Sequence, residues 1–179
     1  KIIYTGVGSR ETPEFFLRVI EEIAYRMAKA GHILSSGAAD GADSWFEKGC
    51  DRANGDKEIF LPWKQFNKHL SPFYTPQPEA YEMAAKIHPA WDKLSQAARH
   101  LHSRNCQQLL GKDLCSPSEL LICWTPNGAE VGGTATAIRL AKSHDIPVIN
   151  LATELKEEVS ILGATAQIKE TLKETLGKT

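Results

Sequence analysis

Three glycine-rich segments of the chain have the residue types and positions that suit the binding of an anion. They span residues 6–10, 35–43 and 128–136, and each follows a short apolar run and precedes a helical pattern. A strand, a tight turn and a helix place backbone N–H groups and the positive end of a helix dipole at one point, which favours phosphate. Because ligands of parallel α/β sheets bind at the carboxyl ends of the strands, the three turns should open on one edge. The sequence therefore predicts a phosphorylated ligand.

Side chains within these segments offer more specific contacts. Glycine lets a ligand approach the backbone closely, and Arg10 could pair with a phosphate through its planar guanidinium. Asp40 and Asp43 are expected to cap the helix, to orient the loop or to meet a ribose hydroxyl, because bare carboxylates repel an anion. Thr134 and Thr136 place hydroxyls beside free N–H groups. The alternative for each position is structural: a solvated arginine, capping aspartates, and small residues that allow close packing.

Apolar periodicity predicts the elements that position these turns. Phe15, Val19, Ile23 and Met27 recur every four residues and predict a helix with one buried face, capped by Thr12. Strands and helices alternate along the chain, which implies a parallel sheet with right-handed crossovers. We therefore expect a three-layer α/β fold with a mainly parallel sheet of at least five strands. The predicted strands span residues 2–5, 33–34, 58–61, 119–124 and 147–151. The first predicted helix follows Pro13, and the others span 40–52, 79–110 with an interruption near His88-Pro89, 132–144 and the C-terminal segment.

The segment Pro62–Pro78 interrupts this alternation. It holds prolines at 62, 72, 76 and 78 together with the aromatic residues Trp63, Phe66, Phe73 and Tyr74. Two interpretations stay open. The segment is either a lid or binding loop, from which Trp63 or Tyr74 stacks on a base, or an apolar cluster packed on the body of the domain.

Composition narrows the class of protein. The chain has 179 residues, 42% apolar and 24% charged, with a formal net charge of −1, and this charge weighs against a protein that depends on nucleic-acid backbone contacts. No apolar run approaches the roughly 20 residues of a membrane span, so we expect no membrane partner. The four cysteines form no CxxC pair, which indicates reduced thiols and a cytoplasmic protein. No nucleophile arrangement and no Walker-type motif is present, and we expect neither a metal nor a cofactor.

The segment Ser36–Asp43, with the sequence SGAADGAD, resembles the S-G-x-A-x-G-I/A-D signature of the DprA/SMF family. Val7–Arg10 is similar to that family's opening V-G-S/T-R, and Ser103-Arg104-Asn105 is similar to its R-N segment. The turn Gly132–Ala137 is similar to its last glycine/threonine turn and to the P-G-G-x-G-T segment of the related LOG phosphoribohydrolases. The resemblance covers residues 1–151 and implies the Rossmann-like, nucleotide-binding SLOG superfamily, in the short stand-alone version of phage type. Residues 152–179 are expected to form a C-terminal helix packed on the same domain.

Some residues of this chain differ from the patterns of the two families, and these differences help to choose between the functions that the resemblance implies. Arg139 stands where LOG enzymes carry their catalytic glutamate, and Ala135 replaces a glycine, so phosphoribohydrolase activity is a lesser alternative. DprA-like binding of single-stranded DNA in recombination is the other alternative. We expect a non-catalytic homo-oligomer that binds, and by one hypothesis sequesters, a nucleotide-derived small molecule, with Arg104 neutralising ligand charge. The expected ligand contacts are Gly6, Gly8, Ser9, Arg10, Ser36, Gly37, Ala38, Asp40, Gly41, Asp43, Arg104, Asn105, Thr125, Gly132, Gly133, Thr134 and Thr136.

Overall fold

The computed structural model describes residues 1–155 and 160–177, and these form a parallel sheet covered by helices on both faces. The strands are β1 (Ile3–Gly8), β2 (Ile33–Ser36), β3 (Lys57–Leu61), β4 (Phe73–Tyr74), β5 (Leu120–Trp124) and β6 (Val148–Asn150). The helices are α1 (Glu14–Lys29), α2 (Ala42–Arg52), α3 (Pro78–Ile87), α4 (Gln96–Leu110), α5 (Thr134–Ser143), α6 (Leu151–Glu154) and α7 (Ile161–Leu176). The strand order is β4-β3-β2-β1-β5-β6, and every neighbouring pair is parallel.

Strand β5 shows how the sheet separates two apolar cores. Alternate side chains of a strand point to opposite faces, so Leu120 and Ile122 join a core with α1, α2 and α7. Leu121 and Cys123 join a second core with α4 and α5 on the other face. This arrangement confirms the predicted three-layer α/β fold with a mainly parallel sheet.

Helix α1 has the buried face that its periodicity predicted. Its buried residues are Val19, Ile20, Ile23, Ala24 and Met27. The predicted cap at Thr12 is wrong. The helix begins after Pro13 without a side-chain cap, and the Thr12 hydroxyl instead donates to the Ser9 carbonyl at 2.6 Å.

Helix α7 packs against α1, where Ala164, Ile168 and Leu172 enter the same core. The predicted C-terminal helix spans 152–179, and its residues 156–159 and 178–179 lie outside the described residues. Within the described ranges, no helix combines the length and apolar character that crossing a bilayer requires.

Two expectations about the chain are corrected. Gly6 lies inside β1 rather than in a turn, and a Cβ there would come within 2.6 Å of the Phe46 ring, so glycine is needed for the packing of α2. The segment Pro62–Pro78 contains a sixth strand, β4, whose Phe73 and Tyr74 pair with the end of β3. This strand has no periodicity of its own, because it is only two residues long.

The rest of that segment is held to the body of the domain by hydrogen bonds. Asn67 Nδ2 donates to the Ala38 carbonyl at 2.9 Å, and His69 Nε2 lies 2.7 Å from Glu47 Oε2. The ring of Phe66 is buried beside Ala38. These contacts favour the interpretation of the segment as a cluster packed on the domain over that of a free lid.

Candidate functional site

The carboxyl ends of β1, β2 and β5 surround a cleft of about 490 Å³, whose remaining wall is α4. All three glycine-rich turns contribute to it, as the strand order predicts for a parallel sheet. The predicted residues that line the cleft are Gly8, Ser9, Arg10, Asp43, Arg104, Asn105, Gly132, Gly133 and Thr134. The predicted residues that do not line it are Gly6, Ser36, Gly37, Ala38, Asp40, Gly41, Thr125 and Thr136.

The first turn uses several of its own polar groups to fix its shape. The Ser9 N–H donates to the Trp124 carbonyl at 3.1 Å, and Ser9 Oγ accepts from the Glu11 N–H at 3.0 Å. A Cβ at Gly8 would lie 2.7 Å from that of Ala42, so this glycine allows the close approach of α2. The exposed side chains of Arg10 and Glu11 both line the cleft, so a guanidinium and a carboxylate lie at this end of it.

Asp43 joins the first and second turns. Its carboxylate accepts from the Ala39 N–H at 3.3 Å and from the Gly8 N–H. The side chain is only 3% exposed, and burial raises its pKa to about 6, against the lowering effect of Arg104. Asp40, in contrast, is exposed and does not cap α2, whose N-cap residue is Gly41 with φ 85° and no side-chain cap.

We expect replacement of Asp43 by Asn to remove a pH dependence of stability. The folded state holds this proton up to about pH 6, whereas the ordinary pKa is 3.8. Between these values the folded state binds more protons than the unfolded chain, so the free energy of unfolding falls as pH rises. The wild type should lose about 2–3 kcal/mol relative to Asp43→Asn between pH 4 and 7. Urea unfolding of both proteins across this range measures it; parallel curves would contradict the burial of a titrating Asp43.

Arg104 holds the second turn against β3. Its Nη1 donates to the carbonyls of Gly37 at 2.6 Å and Phe60 at 3.2 Å, and its Nε donates to Asn105 Oδ1 at 2.9 Å. The guanidinium carbon lies 5.5 Å from the centre of the Phe66 ring. Burial lowers the pKa of Arg104 to about 10, so it stays charged at neutral pH. Arg104 is therefore a positive charge in the cleft wall whose hydrogen bonds mainly stabilise the turn.

Gly37 and Ser36 also serve the scaffold. The Gly37 N–H donates to the side-chain oxygen of Gln108 at 3.0 Å, and a Cβ at Gly37 would come within 1.8 Å of the Gln108 amide. The Ser36 hydroxyl donates to the Gly6 carbonyl at 2.6 Å. At the end of β5, Thr125 accepts from Asn150 Nδ2 at 2.7 Å and is fully buried. These positions support the cleft from behind its wall.

The third turn is the most open of the three. A Cβ at Gly132 or Gly133 would meet no heavy atom within 4 Å, and α5 begins after Gly133 without a side-chain cap. Asn105 Nδ2 fixes the turn by donating to the Gly133 carbonyl at 2.8 Å. The first N–H groups of a helix have no partner inside it. The Ala135 N–H donates to the Gly132 carbonyl at 3.2 Å, so α5 offers the cleft its other first N–H groups and the positive end of its dipole.

His102 and Gln108 line the cleft although the sequence did not single them out for ligand contact. His102 Nδ1 lies 2.6 Å from Thr136 Oγ1, so this pair links α4 to α5. Burial, together with His88, Arg104 and Arg139, lowers the pKa of His102 to about 4, and the imidazole is neutral at pH 7. Its helical spacing from Ala98 and Asn105, which also line the cleft, is the sequence signal that could have found it. Trp63 and Tyr74 do not line the cleft.

Comparison with known proteins supports the fold. No protein-family model matches the chain, and no curated protein matches it. Among solved structures, the chain is similar to the molybdenum cofactor (Moco) carrier protein of Chlamydomonas reinhardtii, with 21% identity over 96% of this chain and 98% of that one and a TM-score of 0.54. A second structure of the carrier has 17% identity, the same coverage and a TM-score of 0.43. The likeness to the first structure shows that this chain has a Rossmann-like α/β fold.

Proposed function

We propose that the cleft binds a small, phosphorylated, nucleotide-derived ligand and that its phosphate lies at the N-terminus of α5. The observation that carries this proposal is the open third turn, where Gly132 and Gly133 leave the backbone free to be approached. The Ala135 N–H donates to the Gly132 carbonyl at 3.2 Å. The remaining first N–H groups and the dipole of the helix that begins there favour a dianion. Ten residues of regular helix follow the turn, which is enough for the dipole to develop.

The charges around the cleft support an anionic ligand. Arg10 is exposed at its rim. Arg104 lies in its wall, close enough for the charge of Arg10 to lower the pKa of Arg104. Asn105 lines the cleft beside Gly133, whose carbonyl it binds. A phosphate at the third turn would share the cleft with these two guanidinium groups, and charge-assisted hydrogen bonds to such groups are strong.

A small molecule is the class of ligand that the cleft favours. The resemblance to DprA/SMF and LOG proteins supports a nucleotide, and the similar fold of a protein named for carrying the molybdenum cofactor adds that cofactor to the compounds to be tested. Arg139 forms an ion pair with Glu130 at 3.8 Å and does not line the cleft, so the position of the LOG glutamate offers no group for catalysis. Mass spectrometry of small molecules released from the purified protein would identify the ligand directly.

Salt dependence separates this proposal from the binding of single-stranded DNA. An oligonucleotide that contacts about five phosphates should lose affinity with a log–log salt slope of about −3.5, whereas a mononucleotide should show a slope near −1. We expect the shallow slope, because the net charge is −1. Calorimetric titration of a nucleoside monophosphate and of a plain oligonucleotide at several salt concentrations makes the comparison. Submicromolar, length-dependent oligonucleotide binding near physiological salt would favour the recombination function instead.

A further inference from the structure

Asp43 is a buried carboxylate in the wall of a cleft that otherwise suits an anion. Its oxygens accept two backbone N–H groups, from Ala39 and Gly8. A carboxylate offers about four lone-pair sites, so these two donors leave roughly half of its accepting capacity unused. Arg104 lies near enough to act on it electrostatically, but the hydrogen bonds that Arg104 donates go to Gly37, Phe60, Asn105 and the side-chain oxygen of Gln108.

A ligand group that fills the remaining accepting capacity of Asp43 must be a hydrogen-bond donor, and its charge decides whether it fits. An anionic group would be repelled by the carboxylate. A cationic group would be repelled by Arg104 and, from further away, by Arg10. A neutral hydroxyl avoids both conflicts, and two adjacent hydroxyls can satisfy both oxygens of one carboxylate. At pH 7.5 Asp43 is mostly ionised, because its pKa is about 6, so it accepts hydrogen bonds from such a pair.

We propose that Asp43 binds the vicinal diol of a ribose, so that the cleft selects ribose phosphates over deoxyribose phosphates. This inference rests on the proposed function, because it takes the phosphate to lie at the N-terminus of α5 and the sugar to lie between that helix and Asp43. Both Asp43 and the Gly132–Thr134 turn line the same cleft of about 490 Å³. A deoxyribose lacks one of these hydroxyls and would leave an oxygen of the buried carboxylate without its donor, so loss of one hydroxyl should weaken binding.

The test compares ribose and deoxyribose compounds that are otherwise identical. AMP and GMP are titrated beside their 2′-deoxy forms, with ribose 5-phosphate and 2-deoxyribose 5-phosphate as a base-free pair and inorganic phosphate as the reference. The wild type should prefer the ribose form about tenfold or more, the range of a charged hydrogen bond. Asp43→Asn should bind both forms alike and keep its affinity for phosphate. Asp51→Asn, on the exposed part of the same helix, should keep the wild-type preference.

The outcomes distinguish this inference from the proposed function. If phosphate-bearing probes bind and Gly133→Val removes that binding, but the wild type does not prefer ribose, the diol inference is overturned and the proposed function stands. A preference that persists in Asp43→Asn also overturns it. If none of the probes binds the wild type, the proposed function fails and the inference fails with it. Should Asp43→Asn not fold, the wild-type comparison alone decides.

Discussion

Gly133→Val is expected to lower ligand affinity by at least about a hundredfold and to leave the stability of the fold almost unchanged. The loss corresponds to about 2.7 kcal/mol. Its reason is that two methyl groups would stand where a phosphate approaches the first N–H groups of α5. Gly133 has φ −63° and ψ −30°, a helical conformation that any residue adopts, and a Cβ there meets no heavy atom within 4 Å. Calorimetric titration with nucleoside monophosphates measures the affinity, and thermal unfolding measures the stability.

The matched control for this variant adds the same side chain elsewhere. Ala30→Val lies at the exposed C-terminal end of α1, also with helical φ, and should change neither binding nor stability by more than about 0.5 kcal/mol. Gly133→Ala should fall between the wild type and Gly133→Val. Unchanged affinity in Gly133→Val would place the phosphate away from the third turn.

Arg104→Ala is expected to destabilise the protein by about 3 kcal/mol as well as weaken binding. The substitution removes the donors to the Gly37 and Phe60 carbonyls, and a buried carbonyl left without a donor costs about 1–3 kcal/mol. Arg104→Lys should not restore stability, because an ammonium group lacks the planar fork that meets Asn105 and both carbonyls together. Urea unfolding gives the free energy, and titration of the folded fraction gives the affinity.

Arg139→Ala is the control for this second prediction. Arg139 is about one-third exposed and lies 3.8 Å from Glu130, so its loss should cost no more than about 0.5 kcal/mol. If Arg139→Ala lowered ligand affinity more than Arg104→Ala does, the cleft would not be the ligand-binding site. If Arg104→Ala left stability unchanged, its hydrogen bonds to the second turn would contribute nothing.

The fold could be predicted where its signals are local. The buried face of α1 follows from the spacing of its apolar residues, and the turns after β1, β2 and β5 follow from glycines next to apolar runs. β4 could not be predicted in this way, because Phe73 and Tyr74 form a strand only through their pairing with Phe60 and Leu61. The extension of β1 through Gly6 depends likewise on its pairing with Ile122 of β5, which lies far along the chain.

The candidate site, like the fold, could be predicted only where its signals are local. The third turn could be predicted from local sequence, because Gly132-Gly133-Thr134 directly precedes a helical pattern and α5 begins there. The role of Asp43 could not, because it joins the Gly8 and Ala39 N–H groups of two different turns. For Arg104, the family resemblance indicated importance, but its bonds to Gly37 and Phe60 depend on how α4 crosses the sheet.

The central position of β1 has a consequence for how the molecule folds. β1 pairs with β2 nearby in sequence, but its other neighbour is β5. The hydroxyls of Thr5 and Ser118 meet although the two residues are 113 positions apart in the chain. Contacts between such distant parts of a chain form slowly, because a long loop must close first. The first and third turns follow these two strands, so the cleft takes shape only when that loop has closed. We therefore expect the cleft to form late in folding, after β1 and β5 have paired.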